Sequence, residues 1–336
     1  MGVTDGVKAA DNSIASKSQG ISTLAPGLAV VQRELLVYLN GAFVPKSEAK
    51  ISVFDHGLLY GDGVFEGIRA FGGYVFKLKE HVDRLYQSAA CIELEIPMAN
   101  EKMVEIVTET LRRNDLSNAY IRLVVTRGIG DMSVNPAPCR ESTVFVITEP
   151  VASSTFPKEP RLLSTIITSV RRDPVDSTSH EIKSLNYLNS VLAVLEANRA
   201  KVDYPVMLDH RGFVSEGSTM NIFLVKDGTI STPPSSSGIL HGITRERVIE
   251  LARSMKYQVT EREITPFELL TADEAFFTGT LLGLAAVRVV SGKSIGKGGV
   301  GPVTRALYNE FRRIVSMPEE GTPIFGAQAV RQARKR

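Results

Sequence analysis

The chain has 336 residues, enough for two domains with sizeable cores, and its 43% hydrophobic and 23% charged content is ordinary for a globular protein. A net charge of +2, with no long basic run before the last few residues, argues against nucleic acid as a partner. Two cysteines, Cys91 and Cys139, without metal-ligand spacing argue against a disulfide scaffold and a metal site and fit a reducing cytoplasm; no apolar run approaches the roughly 20 residues that span a bilayer.

Residues 1–30 mix Ser, Gly, Lys and Asp with little periodicity and are expected to form a flexible tail. They lack the apolar core of a secretory signal, and Asp5 and Asp11 suit a transit peptide badly, although Lys8 and Lys17 keep that alternative open. Folding signals begin at Leu35, where Asn40-Gly41 between two apolar runs predicts a hairpin with a type I′ turn. A glycine-rich run from Val53 to Arg69 is followed by no Gly-Lys-Ser/Thr, so it reads as close backbone packing and not as a nucleotide loop. Phe71-Gly72-Gly73-Tyr74 is a second turn, and the helix after it carries Val82, Leu85 and Ala89 on one face. His81 and Arg84 of that helix stay unexplained by the pattern; alone, Arg84 reads as a surface arginine. A helix from Glu101 to Arg113 aligns Met103, Ile106, Val107, Thr110 and Leu111, and the strand Ala119–Thr126 puts Tyr120 and Arg122 on a common face. A loop at residues 128–138 and a strand at Thr143–Thr148 follow, and the prolines and serines of residues 149–160 suggest an interdomain linker. The expected division is therefore a tail at 1–30, a small domain at 31–148, the linker, a second domain at 161–325, and a basic tail at 326–336 that reads as a solvated terminus.

In the second half, Pro205–Asp209 is a short strand, His210-Arg211-Gly212 a turn and Phe213-Val214 its return. Asp227-Gly228 predicts another hairpin, and Gly242-Ile243-Thr244 opens a helix, with Thr244 as N-cap and free amides that suit an anion. Ala275–Thr280 reads as a buried strand, and a last helix from Val303 to Ile314 turns Ala306, Leu307, Phe311 and Ile314 inward.

The chemistry concentrates around Lys183. Tyr187 follows four residues later, then Leu188, Val191, Leu192 and Leu195 at helical spacing, which places the lysine where a loop enters an amphipathic helix with packed apolar residues near its ammonium. Such desolvation lowers a lysine's pKa and makes it a usable amine for Schiff-base chemistry. Glu216, followed by Gly217, offers a carboxylate on an adjacent element. An amine for an aldehyde and an anion for a ring nitrogen are what a pyridoxal phosphate site needs.

At these residues the sequence resembles the branched-chain amino acid aminotransferases of the class IV pyridoxal-phosphate-dependent aminotransferase family, whose fold type IV group also holds D-amino acid aminotransferase, (R)-amine transaminases and aminodeoxychorismate lyase. The resemblance runs from about Leu35 to about Ile324. It implies an α+β (mixed α/β) chain with an N-terminal α/β sandwich and a C-terminal α/β pseudo-barrel, and a homodimer or larger assembly in which a neighbour's loop, here residues 128–138, completes the site. By the same resemblance Lys183 is the catalytic lysine that holds pyridoxal 5'-phosphate, and Glu216 faces the ring nitrogen. Tyr187 meets the ring hydroxyl, while Arg84, the amides of Ile243 and Thr244, and the Thr280 hydroxyl hold the phosphate; His81 is expected to support by a hydrogen bond. Tyr60 and Phe65 are presented to the substrate, Tyr120 and Arg122 shape its carboxylate end, and the amides of Leu281 and Leu282 face that carboxylate. The implied reaction moves the amino group of L-leucine, L-isoleucine or L-valine to 2-oxoglutarate by a ping-pong route; an (R)-amine or D-amino acid transaminase, or the lyase, is the alternative.

Two departures bear on specificity. Family members usually read Gly-Thr-Ala-Ala-Glu where this chain reads Gly279-Thr280-Leu281-Leu282-Gly283, and Glu-Gly-Ser-Gly-Glu-Asn where it reads Glu216-Gly217-Ser218-Thr219-Met220-Asn221. Two leucines for two alanines are expected to reshape the pocket, weakening the bulkiest branched donors and admitting amines without a carboxylate.

Overall fold

A computed structural model of the chain describes residues 34–326, which lie within one compact unit. Strands β1 (Leu36–Leu39) and β2 (Ala42–Pro45) form the first hairpin, with Asn40 and Gly41 at φ of 45° and 93°, as a type I′ turn requires. The first half continues with α1 (His56–Tyr60), β3 (Gly63–Phe71), β4 (Tyr74–Phe76), α2 (Leu78–Cys91), α3 (Asn100–Arg113), β5 (Ala119–Thr126) and β6 (Thr143–Pro150). The second half holds β7 (Arg161–Arg171), α4 (Leu188–Arg199), β8 (Tyr204–Leu208), β9 (Asn221–Lys226), β10 (Thr229–Thr232), α5 (Ile243–Ser254), β11 (Val259–Glu261), α6 (Pro266–Leu270), β12 (Glu274–Gly279), β13 (Gly283–Val290), β14 (Lys293–Ser294) and α7 (Pro302–Ile314), before β15 (Gly321–Pro323).

The first sheet has seven strands in the order β15-β4-β3-β5-β6-β1-β2, antiparallel throughout. Its buried face packs Val82, Leu85 and Ala89 of α2 and Met103, Ile106, Val107 and Leu111 of α3, the faces the spacing predicts. β15 carries the chain back from the second half to the edge of this sheet, although residues 321–325 read in sequence as part of the second domain.

The second sheet is mixed, with a path β11-β10-β9-β12-β13-β7-β8 and β14 attached to β13. It curls, because the extended stretch at residues 213–216 bonds to β8 on one side (Ser215 N to Met207 O, 2.9 Å) and to the chain beyond β11 on the other (Val214 N to Ile264 O, 2.7 Å). The carboxylate of Glu274 fixes α7 against β12 by accepting the free amides of Val303 and Thr304 at 3.0 and 2.7 Å, as an anion at a helix start should.

A third body of apolar packing joins the halves. Phe71 and Phe76 from the first sheet meet Phe156, Phe223 and Phe276 under α5 and α7, with Phe71 and Phe156 rings 5.1 Å apart. Truncating one of these to alanine should cost about 3–5 kcal/mol. The segment at 149–160 thus contributes a core side chain, and its carbonyls at Phe156 and Pro157 accept bonds from Arg312 and Tyr308 of α7 at 2.8 Å.

Helix α4 differs from its expected form. Leu188, Val191, Leu192 and Leu195 are exposed, and the helix buries Ser190, Ala193 and Ala197 toward β7 and β8. Small residues allow close approach to a sheet, so the apolar spacing marks the outward face.

Candidate active site

A cavity of about 420 Å³ opens between the two sheets. Phe65, Arg84, Tyr120 and Arg122 line it from the first half, Thr244, Thr280, Leu281 and Leu282 from the second, and Lys183 and Tyr187 between them. Its volume lies in the ordinary range for a small-molecule site. A larger hollow of about 830 Å³ along β1 and the loop near Cys139 gathers Glu95, Arg140 and Glu141 but no comparable set of converging groups.

Lys183 stands five residues before α4, so the helix does not hold it. Its backbone adds to the start of β3 instead: Phe65 N donates to Lys183 O at 3.0 Å and Leu185 N to Gly63 O at 2.9 Å, while Lys183 N bonds to Ser88 Oγ at 3.1 Å. Nζ lies 3.2 Å from the Tyr187 hydroxyl and 4.7 Å from the centre of the Phe65 ring. The apolar surroundings of the amine therefore come from Phe65 and Tyr187, whose rings meet edge-on at 5.0 Å, and not from the leucines of α4. Arg122 lies over the same Phe65 ring at 4.5 Å, a second cation in contact with it.

At one end, Arg84 reaches the cavity from α2. Its Nε and Nη2 donate to the two oxygens of Glu66 at 2.7 and 2.8 Å, and Nη1 donates to the carbonyl of His241 at 2.5 Å. This fork locks the guanidinium and leaves its remaining N–H groups for an anion. Glu66 is fully buried and also bonds His81 Nδ1 at 2.7 Å. Burial alone would push this carboxyl up, but Arg84 and His81 outweigh it and hold it well below the usual carboxylate range. Burial pushes His81 down against the pull of Glu66, so the ionic partner of Glu66 at neutral pH is Arg84. Glu66 carried no signal in the sequence, since a carboxylate inside the run Val64-Phe65-Glu66-Gly67-Ile68 looks like any polar residue of a strand. A charge amid buried apolar neighbours, facing His81 and Arg84 at i and i+3 of the next helix, is the pattern that points to it.

Facing Arg84 is the start of α5. The N-cap is Gly242, not Thr244, which sits in the first turn with its side chain buried. A Cβ at Gly242 would fall 2.1 Å from Asn221 Oδ1, so only glycine lets the turn close on that amide. Ile243 contributes an amide that the helix leaves free, but it is not among the cavity walls, whereas Gly242 and Thr244 are. Thr278 and Thr280 also line the cavity, and the buried Thr278 hydroxyl has no partner among the described residues.

A small hollow of about 30 Å³ adjoins the cavity, shares Lys183 and Tyr187 with it and contains Glu216. This carboxylate is 4% exposed; Oε2 accepts from Asn221 Nδ2 at 2.9 Å and from Leu240 N at 3.2 Å, and Oε1 lies 3.0 Å from Arg172 Nη2. Burial pushes its pKa up, and Arg172 opposes without reversing the direction. Arg172 is a second residue that gave no sign in the sequence, being one of an adjacent pair, Arg171-Arg172, at a strand end.

Tyr60 stands apart from the cavity. It lies on α1, and its hydroxyl donates to Met132 O at 2.5 Å in the loop at 128–138. Leu281 and Leu282 do line the cavity, Leu281 at 53% exposure, and Arg69 Nη1 holds the Leu281 carbonyl at 3.1 Å.

A curled mixed sheet, an antiparallel sheet and a lysine pinned between them define a class of protein, and residues 63–290 match the model of the amino-transferase class IV family. The chain belongs to that family. It is 50% identical over 283 residues to a Methanocaldococcus jannaschii protein provisionally named a branched-chain-amino-acid aminotransferase, covering 83% of this chain and 96% of that one. It is 36% identical over 297 residues to the branched-chain-amino-acid aminotransferase of Pseudomonas aeruginosa, covering 86% and 95%. Among solved structures, the branched-chain aminotransferase of the thermophilic archaeon Thermoproteus uzoniensis with norvaline superposes with a TM-score of 0.81 at 35% identity, covering 87% of this chain and 100% of that one.

Proposed function

We propose that this chain is a pyridoxal-phosphate-dependent branched-chain amino acid aminotransferase that moves the amino group of L-leucine, L-isoleucine or L-valine to 2-oxoglutarate. The observation that carries this reading is the placement of Lys183 Nζ beside Tyr187 and Phe65, in a cavity that Arg84 and the start of α5 line and that adjoins the buried carboxylate of Glu216. The donors fit a phosphate: Arg84 has N–H groups to spare, the first turn of α5 offers free amides, and the Thr278 hydroxyl is buried without a partner among the described residues.

When bound, pyridoxal phosphate supplies an aldehyde for an amine and a ring that draws electrons from the substrate carbon. Lys183 would hold it, and the same amine, once free, would take the proton from the substrate's α-carbon, so one group does covalent and acid–base work. Tyr187 orients the amine and would meet the ring hydroxyl. Glu216 keeps a proton on the ring nitrogen, because an adjacent carboxylate favours the charged ring. Arg84, the amides of Ile243 and Thr244, and Thr280 hold the phosphate; Glu66 positions Arg84. Tyr120, Arg122 and the amides of Leu281 and Leu282 receive the substrate carboxylate, with Phe65 beside its side chain.

Exposed Val53, Leu58, Ile129, Met132 and Val134 belong to α1, the chain before it and the loop at 128–138, which His56 N to Gly128 O (2.9 Å) and the Tyr60 bond tie together. A second copy is the occupant we assign to this face, and through it Tyr60 reaches a neighbour's substrate. The division into a small domain, a link at 149–160 and a cofactor domain remains part of this reading. Among the described residues no helix is long and apolar enough to cross a membrane, and free Cys91 and Cys139 suit the cytoplasm where we place the enzyme.

A coupled assay for glutamate formed from L-leucine and 2-oxoglutarate tests the function. Steady production at catalytic rates is expected; release of product without glutamate would indicate the lyase. A second reading, acceptance of (R)-amines, is supported by Leu281 and Leu282 on the cavity wall.

A further inference from the structure

We propose that Arg172 is a positioning residue of the reaction: through its ion pair with Glu216 it decides whether the proton shared by that carboxylate and the cofactor's ring nitrogen rests on nitrogen or on oxygen. The proposal rests on the role given to Glu216 above and adds the residue behind it.

Arg172 follows β7 directly, and its amide bonds to Leu208 O at 2.9 Å, which fixes its backbone beside β8. Its side chain is only 1% exposed. Nη2 donates to Gly217 O at 2.7 Å and faces Glu216 Oε1 at 3.0 Å; Nη1 donates to Ser190 Oγ at 3.0 Å and Asn189 Oδ1 at 3.2 Å. It lines the small hollow beside Glu216 but not the main cavity, so it acts through the carboxylate. A buried arginine is a costly way to fill space, since apolar residues of similar volume serve stability as well or better. A cation here therefore points to a use for its charge.

That use follows from the surroundings of Glu216. Burial favours its protonated form, and Arg172 is the foremost opposing influence, ahead of the Leu240 amide, Lys183 and Arg245. His180, a titratable neighbour of Arg172, has Nε2 3.5 Å from Arg172 Nη1 and 2.9 Å from Asp173 Oδ2. Burial, and then Arg172, push His180 down to about 4, so it is neutral at pH 7 and leaves the guanidinium as the cation paired with the carboxylate. With a ring nitrogen opposite Glu216, one proton is shared: either O–H on Glu216 and a neutral ring, or a carboxylate and N–H on a cationic ring. Passing from the first to the second breaks the O–H bond and forms the N–H bond, with no change of oxidation state. A cation beside the carboxylate makes it the weaker base, and each pKa unit of that weakening is tenfold in the ratio. The cationic ring is the better electron acceptor, so the position of this proton sets the rate of carbon deprotonation.

The test loads the enzyme with pyridoxal phosphate isotope-labelled at the ring nitrogen and reads the nitrogen chemical shift, the cofactor Kd, kcat and KM in wild type, Arg172→Gln, Arg172→Lys and Glu216→Gln. Wild type should show a protonated ring. Arg172→Gln should move toward the neutral-ring position and lose about tenfold or more in kcat with less change in KM, and Arg172→Lys, which keeps the cation, should stay nearer to wild type. Arg172→Gln that binds cofactor with an unchanged nitrogen shift overturns the proposal, even if Kd weakens, since that is what a merely structural arginine would do. An unchanged shift in Glu216→Gln overturns the role of Glu216 itself, so the two failures are distinguishable. If Arg172→Gln does not fold, Asn189→Ala/Ser190→Ala loosens the guanidinium without removing charge: a partial shift supports the proposal and none overturns it.

Discussion

Two buried carboxylates stand beside the cavity, each paired with an arginine, and they differ in how far their partners offset burial. Glu66 receives two bonds from Arg84 and one contact from His81, and is held well below the usual carboxylate range. Glu216 receives one arginine nitrogen, one amide side chain and one long backbone bond, and burial leaves its pKa raised. A satisfied carboxylate fixes its partner in place, whereas an undersatisfied one still gains from a further proton or cation. The first is suited to orienting Arg84, the second to meeting a ring nitrogen.

This contrast can be broken from either side. The largest effect is expected at the amine itself: Lys183→Ala should lose turnover by about 10⁴-fold or more while the far-ultraviolet circular dichroism stays that of the wild type. Wild-type turnover without added amine would remove Lys183 from its assigned role. Next in size, Glu66→Gln withdraws the ionic partner of a mostly buried Arg84, a loss of about 3–5 kcal/mol when such a pair is broken. Chemical denaturation and cofactor titration should show lower stability and a weaker Kd together, whereas Glu216→Gln should lower kcat with a smaller loss of stability. Equal stability losses in the two variants would erase the distinction.

A smaller effect is expected on the substrate side. Leu281→Ala/Leu282→Ala should shift relative kcat/KM among leucine, valine and an (R)-arylalkylamine by about 1–3 kcal/mol, toward the bulkier branched donors. Unchanged ratios would mean that these side chains point away from the substrate. Smallest is a pH effect near Arg172. His180 is pushed below its ordinary 6.5 to about 4 by burial first, so the unfolded chain binds its proton before the folded one does. Stability from this group is complete above about pH 6.5 and is lost as pH falls toward 4. Denaturation across that window should show a shallower slope in His180→Gln than in wild type, and identical slopes would mean that His180 takes up its proton equally in both states.

The sequence made most of the fold legible because its signals were local. Asn40-Gly41 and Asp227-Gly228 adopt positive φ in the turns predicted for them, and the buried faces of α2 and α3 follow their apolar spacing. Lys183, Arg84, Tyr120, Arg122, Thr244 and Thr280 were nominated from motifs and lie around one cavity. What stayed hidden depends on long-range pairing. No spacing rule reveals that residues 183–185 join β3, or that Glu66 and Arg172 meet charges from other elements. The α4 leucines misled because periodicity reports an apolar face without saying what covers it. Tyr60 remains outside the cavity of a single chain, so its role depends on assembly; light scattering should show no active monomer at assay concentration, and an active monomer would count against the second copy.

The central claim is that the Lys183 amine carries the cofactor. Reducing the pyridoxal-phosphate-loaded enzyme with borohydride, digesting it and mapping the modified peptide measures this directly. The visible band should vanish and the added phosphopyridoxyl mass should reside on Lys183 within the peptide that also holds Tyr187. The same mass on another lysine, or unmodified Lys183 in an active preparation, would contradict the account.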